Sequence, residues 1–199
     1  MRESVYSQIM PRRRYLFDPP DRFVAGTIGE PGARAFFLQA RDGPRVVSIL
    51  LEKVQVAVLA DRLGELLAEL ERRGVPEVLA AAVDPEPGAG DTGPLDEPLN
   101  EAFRAGSLTL GWDGTAARVL VEARAQDEDG EAIDPDDDDD EDEDGPDLLR
   151  VRITAAAARS FVARATRVIA SGRPPCPLCG QPLDPQGHIC PRRNGHYVN

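Results

Sequence analysis

The segment Phe23-Val24-Ala25-Gly26-Thr27-Ile28 returns 80 residues later as Phe103-Arg104-Ala105-Gly106-Ser107-Leu108. A repeat at this spacing constrains the fold more than composition does, because both copies must find equivalent surroundings. Each copy runs into a glycine-containing turn, Glu30-Pro31-Gly32 in one and Trp112-Asp113-Gly114 in the other. Each turn leads to an apolar-rich strand pattern, residues 33–41 and 116–124. A third strand follows in both, Arg45 to Leu51 and Leu148 to Ile153, and runs directly into a helix.

The two helical patterns match in kind. From Lys53 to Arg73, Val56, Leu59, Leu63, Leu66, Leu67 and Leu70 recur at helical spacing, while Asp61, Arg62, Glu65, Glu69 and Arg72 lie mostly opposite. Gly74 and Pro76 end this helix. In the second half Thr154 is placed to cap a helix striped by Ala158, Phe161, Val162, Ala165, Val168 and Ile169, with Arg159, Arg164 and Arg167 off the stripe. Gly172, Pro174 and Pro175 stop it. Both stripes read as core, since an amphipathic helix beside a set of strands buries its apolar side on the sheet.

The expected fold class is therefore α+β: two β-β-β-α pseudo-repeats, residues 14–74 and 101–172, sharing an antiparallel sheet with the helices packed on one face. Leu16 and Phe17 read as an added edge strand. Residues 1–13 read as a flexible N-terminal extension, with Met10 as an alternative start. Residues 75–100, with many Pro, Ala and Gly, read as an irregular and mobile linker. Residues 173–199 form a separate tail.

That tail holds all three cysteines. Cys176, Cys179, His188 and Cys190 stand at the spacing C-x2-C-x8-H-x-C, three thiolates and an imidazole, a complete tetrahedral set for one structural zinc in a C-terminal knuckle. Gly180, Pro182, Pro185 and Gly187 let the intervening chain fold back. Four protein ligands leave no position for a hydrolytic water. A redox pair at Cys176 and Cys179 is the competing reading, and it leaves the nearness of Cys190 unexplained. A disulfide framework fails because three cysteines cannot pair among themselves.

The net charge of −12 is unevenly placed. Residues 127–147 carry 15 of the 35 acidic side chains and no Lys or Arg, so taking those fifteen negative charges from −12 leaves the rest of the chain at +3. The run from Asp136 to Asp144 repels itself and buries no apolar surface, and reads as a disordered loop. It sits where the first half has only Asp42-Gly43-Pro44, so it decorates a hairpin tip. A solubilising insertion is the plain reading, and a lure for a basic partner or divalent cations the functional one. No run approaches 18 apolar residues and Arg12, Arg13 and Arg14 break up the start, so neither a membrane span nor a secretory signal is readable. With thiols kept for metal, a cytoplasmic protein is expected.

Several words of the chain, taken together, carry a resemblance. They are Tyr15-Leu16-Phe17-Asp18, Pro20-Asp21-Arg22-Phe23-Val24-Ala25-Gly26-Thr27, Phe37-Leu38-Gln39-Ala40, Leu51-Glu52-Lys53 with Gln55-Val56, and Gly111-Trp112-Asp113. The tail from Gly172-Arg173-Pro174-Pro175-Cys176 through Gly187-His188-Ile189-Cys190 completes them. In these words the chain resembles the actinobacterial domain-of-unknown-function family 3090 from about Arg14 onward. The family has no assigned activity; its members are often encoded beside kinase-like and phosphatase-like proteins, so the resemblance suggests a role with a protein partner, such neighbours among the candidates.

Two functions compete. The first is a non-catalytic binding or adaptor module whose tail is fixed by zinc, with contacts from the knuckle, the sheet or the stretch around Arg192 and Arg193. The second is an enzyme whose site is assembled by the fold. For that reading the available groups are His196, the one histidine not claimed by zinc, the carboxylates Asp18, Asp21, Glu52 and Asp113 near strand ends or turns, with a plainer role as turn-formers or helix caps, and Lys53, whose plainer role is a solvated helix-start pair with Glu52. No phosphate-binding glycine loop and no placed nucleophile is present. Arg164, Arg167, Arg173, Arg192 and Arg193 against Asp184 outline a basic patch near the knuckle, but Tyr197 is its one nearby aromatic. That argues against a single-strand binder and leaves weak nucleic-acid binding through the tail as a further alternative.

Overall fold

The computed structural model describes residues 12–83, 91–127, 129–133, 145–172, 176–179, 190 and 192. Their elements run β1 (Arg14–Phe17), β2 (Arg22–Ile28), β3 (Ala35–Asp42), β4 (Arg45–Leu51), α1 (Lys53–Arg72), α2 (Pro76–Val83), β5 (Glu101–Asp113), β6 (Arg118–Ala125), β7 (Leu148–Ile153) and α3 (Ala155–Ala170). The order strand, strand, strand, helix thus occurs twice. All seven strands form one sheet in the order β1-β7-β6-β5-β4-β3-β2.

The sheet is mixed, where an antiparallel one was expected. Each half is an antiparallel meander, but β4 joins β5 in parallel through Ser48↔Glu101 and Leu50↔Arg104, and β1 runs parallel to β7. Parallel neighbours need a long crossover, and residues 52–100 supply it between β4 and β5. Side chains alternate along the strands. Ala25, Leu38, Ile49, Phe103, Val121 and Val151 face a single core shared with Leu59 and Leu63 of α1, Val78 of α2 and Phe161 of α3.

The sheet cannot be flat. β1 and β2 are its two edges, yet only Asp18-Pro19-Pro20-Asp21 joins them. Four linking residues let those strand ends stand at most about 18 Å apart, whereas the edges of a flat seven-stranded sheet lie about 29 Å apart. The sheet therefore curls. Arg45 of β4 reaches β1, four strands away in the order, donating from Nη1 to Leu16 O at 3.1 Å with its guanidinium 4.5 Å from the centre of the Phe17 ring. Inside the curve Phe161 stacks on Phe23 of β2, ring centres 4.9 Å apart.

The helix ends follow local chemistry. Thr154 accepts from the Ala157 amide at 3.0 Å, the cap expected of it. At α1, Gln55 accepts from the Glu52 amide at 2.8 Å while its Nε2 donates to the carbonyls of Ala105 and Gly106 at the β5 bulge. Gly74, at φ 73°, turns the chain out of α1. β5 is longer than expected. Trp112 continues the inward alternation of Leu108 and Leu110, and the turn begins only after Asp113, whose carboxylate accepts from the amides of Thr115 and Ala116 at 2.9 Å.

Where they are described, at 75–83 and 91–100, the residues between the halves are not the irregular linker expected. Pro76 opens α2 instead of merely ending α1, because proline is well placed at a first helical position, and Val78 and Ala81 enter the core. Beyond it, residues 91–98 strap the β2 edge. Gln39 and Asp96 exchange hydrogen bonds of 2.7 and 3.0 Å, and Leu95 lies over Gly26. A Cβ on Gly26 would stand 2.6 Å from Leu95 Cδ2. Gly26→Val is therefore expected to lose about 1–3 kcal/mol in urea unfolding; adding Leu95→Ala should recover part of it, and an additive loss would show that the strap is not what the glycine accommodates.

The N-terminal and acidic segments also need redrawing. Residues 12 and 13 belong to the fold: Arg12 is buried, and Arg13 binds Asp147 through its amide at 2.7 Å and its guanidinium at 2.6 and 2.9 Å. β6 and β7 pair antiparallel, so residues 126–147 are their connection. Gln126 bridges Ala132, and the Asp127 carboxylate accepts from the amides of Asp129 and Glu131. The run Asp136 to Asp144 lies outside the described residues. Deleting residues 134–144 alone should leave the melting temperature within a few degrees, while deleting 127–147 also removes the Asp127 turn and the Asp147 clamp and should lower it further. Equal melting of the two deletions would refute the distinction.

Candidate metal centre

The tail's chemistry starts with its sulfurs. Cys176 and Cys190 are buried and Cys179 half-buried, all three as free cysteines. Their sulfur atoms lie within 4.8 Å of one another, with Cys176 and Cys190 at 3.9 Å. A disulfide would need about 2.05 Å, whereas tetrahedral zinc–sulfur bonds of about 2.3 Å set sulfurs about 3.8 Å apart. The spacing suits a metal. The Cys179 and Leu178 amides point at Cys176, the latter at 3.5 Å, and pull its thiol below its ordinary pKa of 9.0. This favours the thiolate that a metal requires. His188, the fourth expected ligand, lies outside the described residues, as does His196.

The other residues singled out from the sequence are dispersed, and most have work in the fold. Asp18 pairs with Arg152 at 3.1 Å. Asp21 accepts from the Gly43 amide at 2.8 Å, and Glu52 pairs with Arg104 at 3.0 Å. The Asp113 carboxyl is held below the usual range, first by the Ala116 amide. Lys53 opens α1 and lines a pocket with the end of α3. The basic patch loses a member: Arg164 is buried, and Arg167 donates to Asp91 O at 3.2 Å. Arg192 is exposed.

Arg164 instead belongs to a charged lock. Its Nε donates to Ala25 O at 2.8 Å, Nη1 to the Asp91 carbonyl and carboxylate at 3.0 and 2.8 Å, and Nη2 to Gly93 O at 2.7 Å. Arg22 grips the same Asp91 at 2.7 and 3.1 Å and Asp96 at 2.7 Å. Hydrogen bonding from Arg22 leads the causes that lower the Asp91 carboxyl, while burial pulls Arg164 down from the usual arginine value. These groups tie α3, β2 and the strap together. Sequence reading missed the lock, although Arg164 stands three residues after Phe161, on the flank of the buried stripe.

Across the sheet, Glu122 is buried between Arg124, at 3.2 Å, and Arg150, with which it forms a tight pair. Arg124 stands two residues along the same strand, whereas Arg150 was hidden because that pairing runs across strands, Glu122 standing opposite Arg150 in the β6–β7 register.

The family model described as "Protein of unknown function (DUF3090)" matches residues 15–190. No curated protein matches the chain, and no solved structure does. The match takes in every strand and helix after the first residue of β1 and all three clustered cysteines, and on that extent the chain belongs to the DUF3090 family.

Proposed function

We propose that this chain is a non-catalytic binding module whose C-terminal segment is fixed by one structural zinc, held by Cys176, Cys179, Cys190 and His188. The convergence of three sulfurs, two of them buried, carries the reading. A metal there supplies folding energy to a short segment that has little apolar surface of its own. The carboxylates that a catalytic reading would draw on are engaged in turns and ion pairs, which favours binding over turnover. The partner is a protein met in the cytoplasm, where thiols stay reduced.

The scaffold fits an internal duplication. Gly26 and Gly106 hold the same place in the two strand-strand-strand-helix runs, and chain crosses close over both, Leu95 over the first and Ala132 over the second.

Metal analysis of purified protein should find one zinc per chain. Protein without zinc, and with three readily alkylated thiols, would defeat the metal reading. Affinity capture from a lysate with intact, Cys190→Ser and 134–144-deleted forms should recover a defined protein partner whose yield depends on the knuckle or the acidic run. Turnover of a small molecule, lost on changing one carboxylate without loss of fold, would decide for an enzyme.

A further inference from the structure

Between the Gly32 turn, the first turn of α1 and the last turn of α3 lies a pocket of about 330 Å³. Its walls divide by chemistry. Phe36, Val168 and Ile169 are apolar, Arg34 and Lys53 are cationic, and no carboxylate stands among the described lining residues. Lys53 is the chain's only lysine and has no ion-pair partner among the described residues. Arg34 is held from one side, Nη1 donating to the Ser171 carbonyl at 2.8 Å and hydroxyl at 2.9 Å, while its Nε is shielded from solvent without an acceptor. An adjoining opening shares Arg34 and Lys53 and is also lined by Arg104 and Glu52, which neutralise each other in an ion pair at 3.0 Å.

Two cations facing one cavity without a counter-charge repel each other, and an anion between them relieves that cost. A guanidinium beside an ammonium suits phosphate, whose several oxygens take charge-assisted bonds from both. A phosphate monoester carries nearly two charges at neutral pH, a carboxylate only one. The volume falls at the small end of ligand sites, and the apolar wall suits a compact organic group. We propose that this pocket binds a small organic phosphate monoester, the phosphate between Arg34 and Lys53 and the organic group against Phe36, Val168 and Ile169.

Two-dimensional NMR titration of the full chain tests this with phenyl phosphate, inorganic phosphate and benzoate as probes. Phenyl phosphate should bind tightest, with saturable shifts at Arg34, Phe36, Lys53 and Val168 to Gly172. Lys53→Gln should weaken it about tenfold by removing one charge-assisted contact. Gly172→Val should weaken it comparably by filling the pocket without unfolding the chain, since a Cβ there meets Lys53 Nζ and Ile169 O at an ordinary 3.6 Å. Both variants should keep the intact melting temperature. The proposal is overturned by absence of saturation up to about 10 mM, by unchanged affinity in both variants, or by benzoate binding as tightly as phenyl phosphate.

Discussion

Asp91→Ala is expected to destabilise the protein by about 3 kcal/mol, the low end for breaking a buried ion pair, because the carboxylate is still a quarter exposed. The loss comes from what stays behind. Arg22 and Arg164 have side chains only 14% and 8% exposed, and they would face each other with one shared counter-charge gone. For a chain of this size that corresponds to a fall of about 6–12 °C in melting temperature. Arg164→Lys should not preserve stability, because an ammonium cannot serve Ala25 O, Asp91 and Gly93 O from one planar fork.

Acid supplies an independent readout. The Asp91 carboxyl sits below its ordinary 3.8 in the folded protein. Its contribution is therefore complete above the unfolded value and is lost as pH falls through the lower, folded one. Urea unfolding across that acid window should show a steeper loss of stability in the intact protein than in Asp91→Asn. Equal slopes, or a neutral Asp91→Ala, would show that the strap is held by its backbone contacts alone.

The second large effect falls on the proposed zinc site and leaves the core alone. Cys190→Ser should weaken zinc binding by more than about a hundredfold, since loss of even an outer partner of a metal ligand costs 10–100-fold. Chelator competition measures it. Urea unfolding of the sheet and helices should meanwhile change by less than about 1 kcal/mol, because the core cluster contains none of the three cysteines. A loss of several kcal/mol would make the tail an integral part of the core and overturn the separate knuckle.

What could be read from sequence followed how local the cause was. Alternation located β4 and β7 to the residue, and the apolar stripe located α1, because the signal of each lies within the element itself. Thr154 was legible for the same reason, its acceptor and donor being three residues apart. The pairing of β1 with β7 was not, since Arg14 and Leu148 meet only through the closed topology. Nor was the strap. Residues 91–98 have no periodicity to read, and their order comes from Arg22 and Arg164, 69 and 73 residues away from Asp91. In the tail, spacing alone marked the cysteines, and the fold adds that two of them are buried with their sulfurs 3.9 Å apart.

The four residues between β1 and β2 carry a consequence for synthesis on the ribosome. β2 follows β1 at once, yet the strand that β1 pairs with is β7, 134 residues further on at Arg14 and Leu148. The ring that Phe23 stacks on, Phe161, emerges later still. A nascent chain displaying the whole first half thus has β1 unpaired and β2 uncovered, and loop closure over such distances is slow. Neither half can complete itself, so the native sheet closes only when the last helix is free of the exit tunnel, and ribosome-bound chains truncated before α3 should remain open to protease along their entire length.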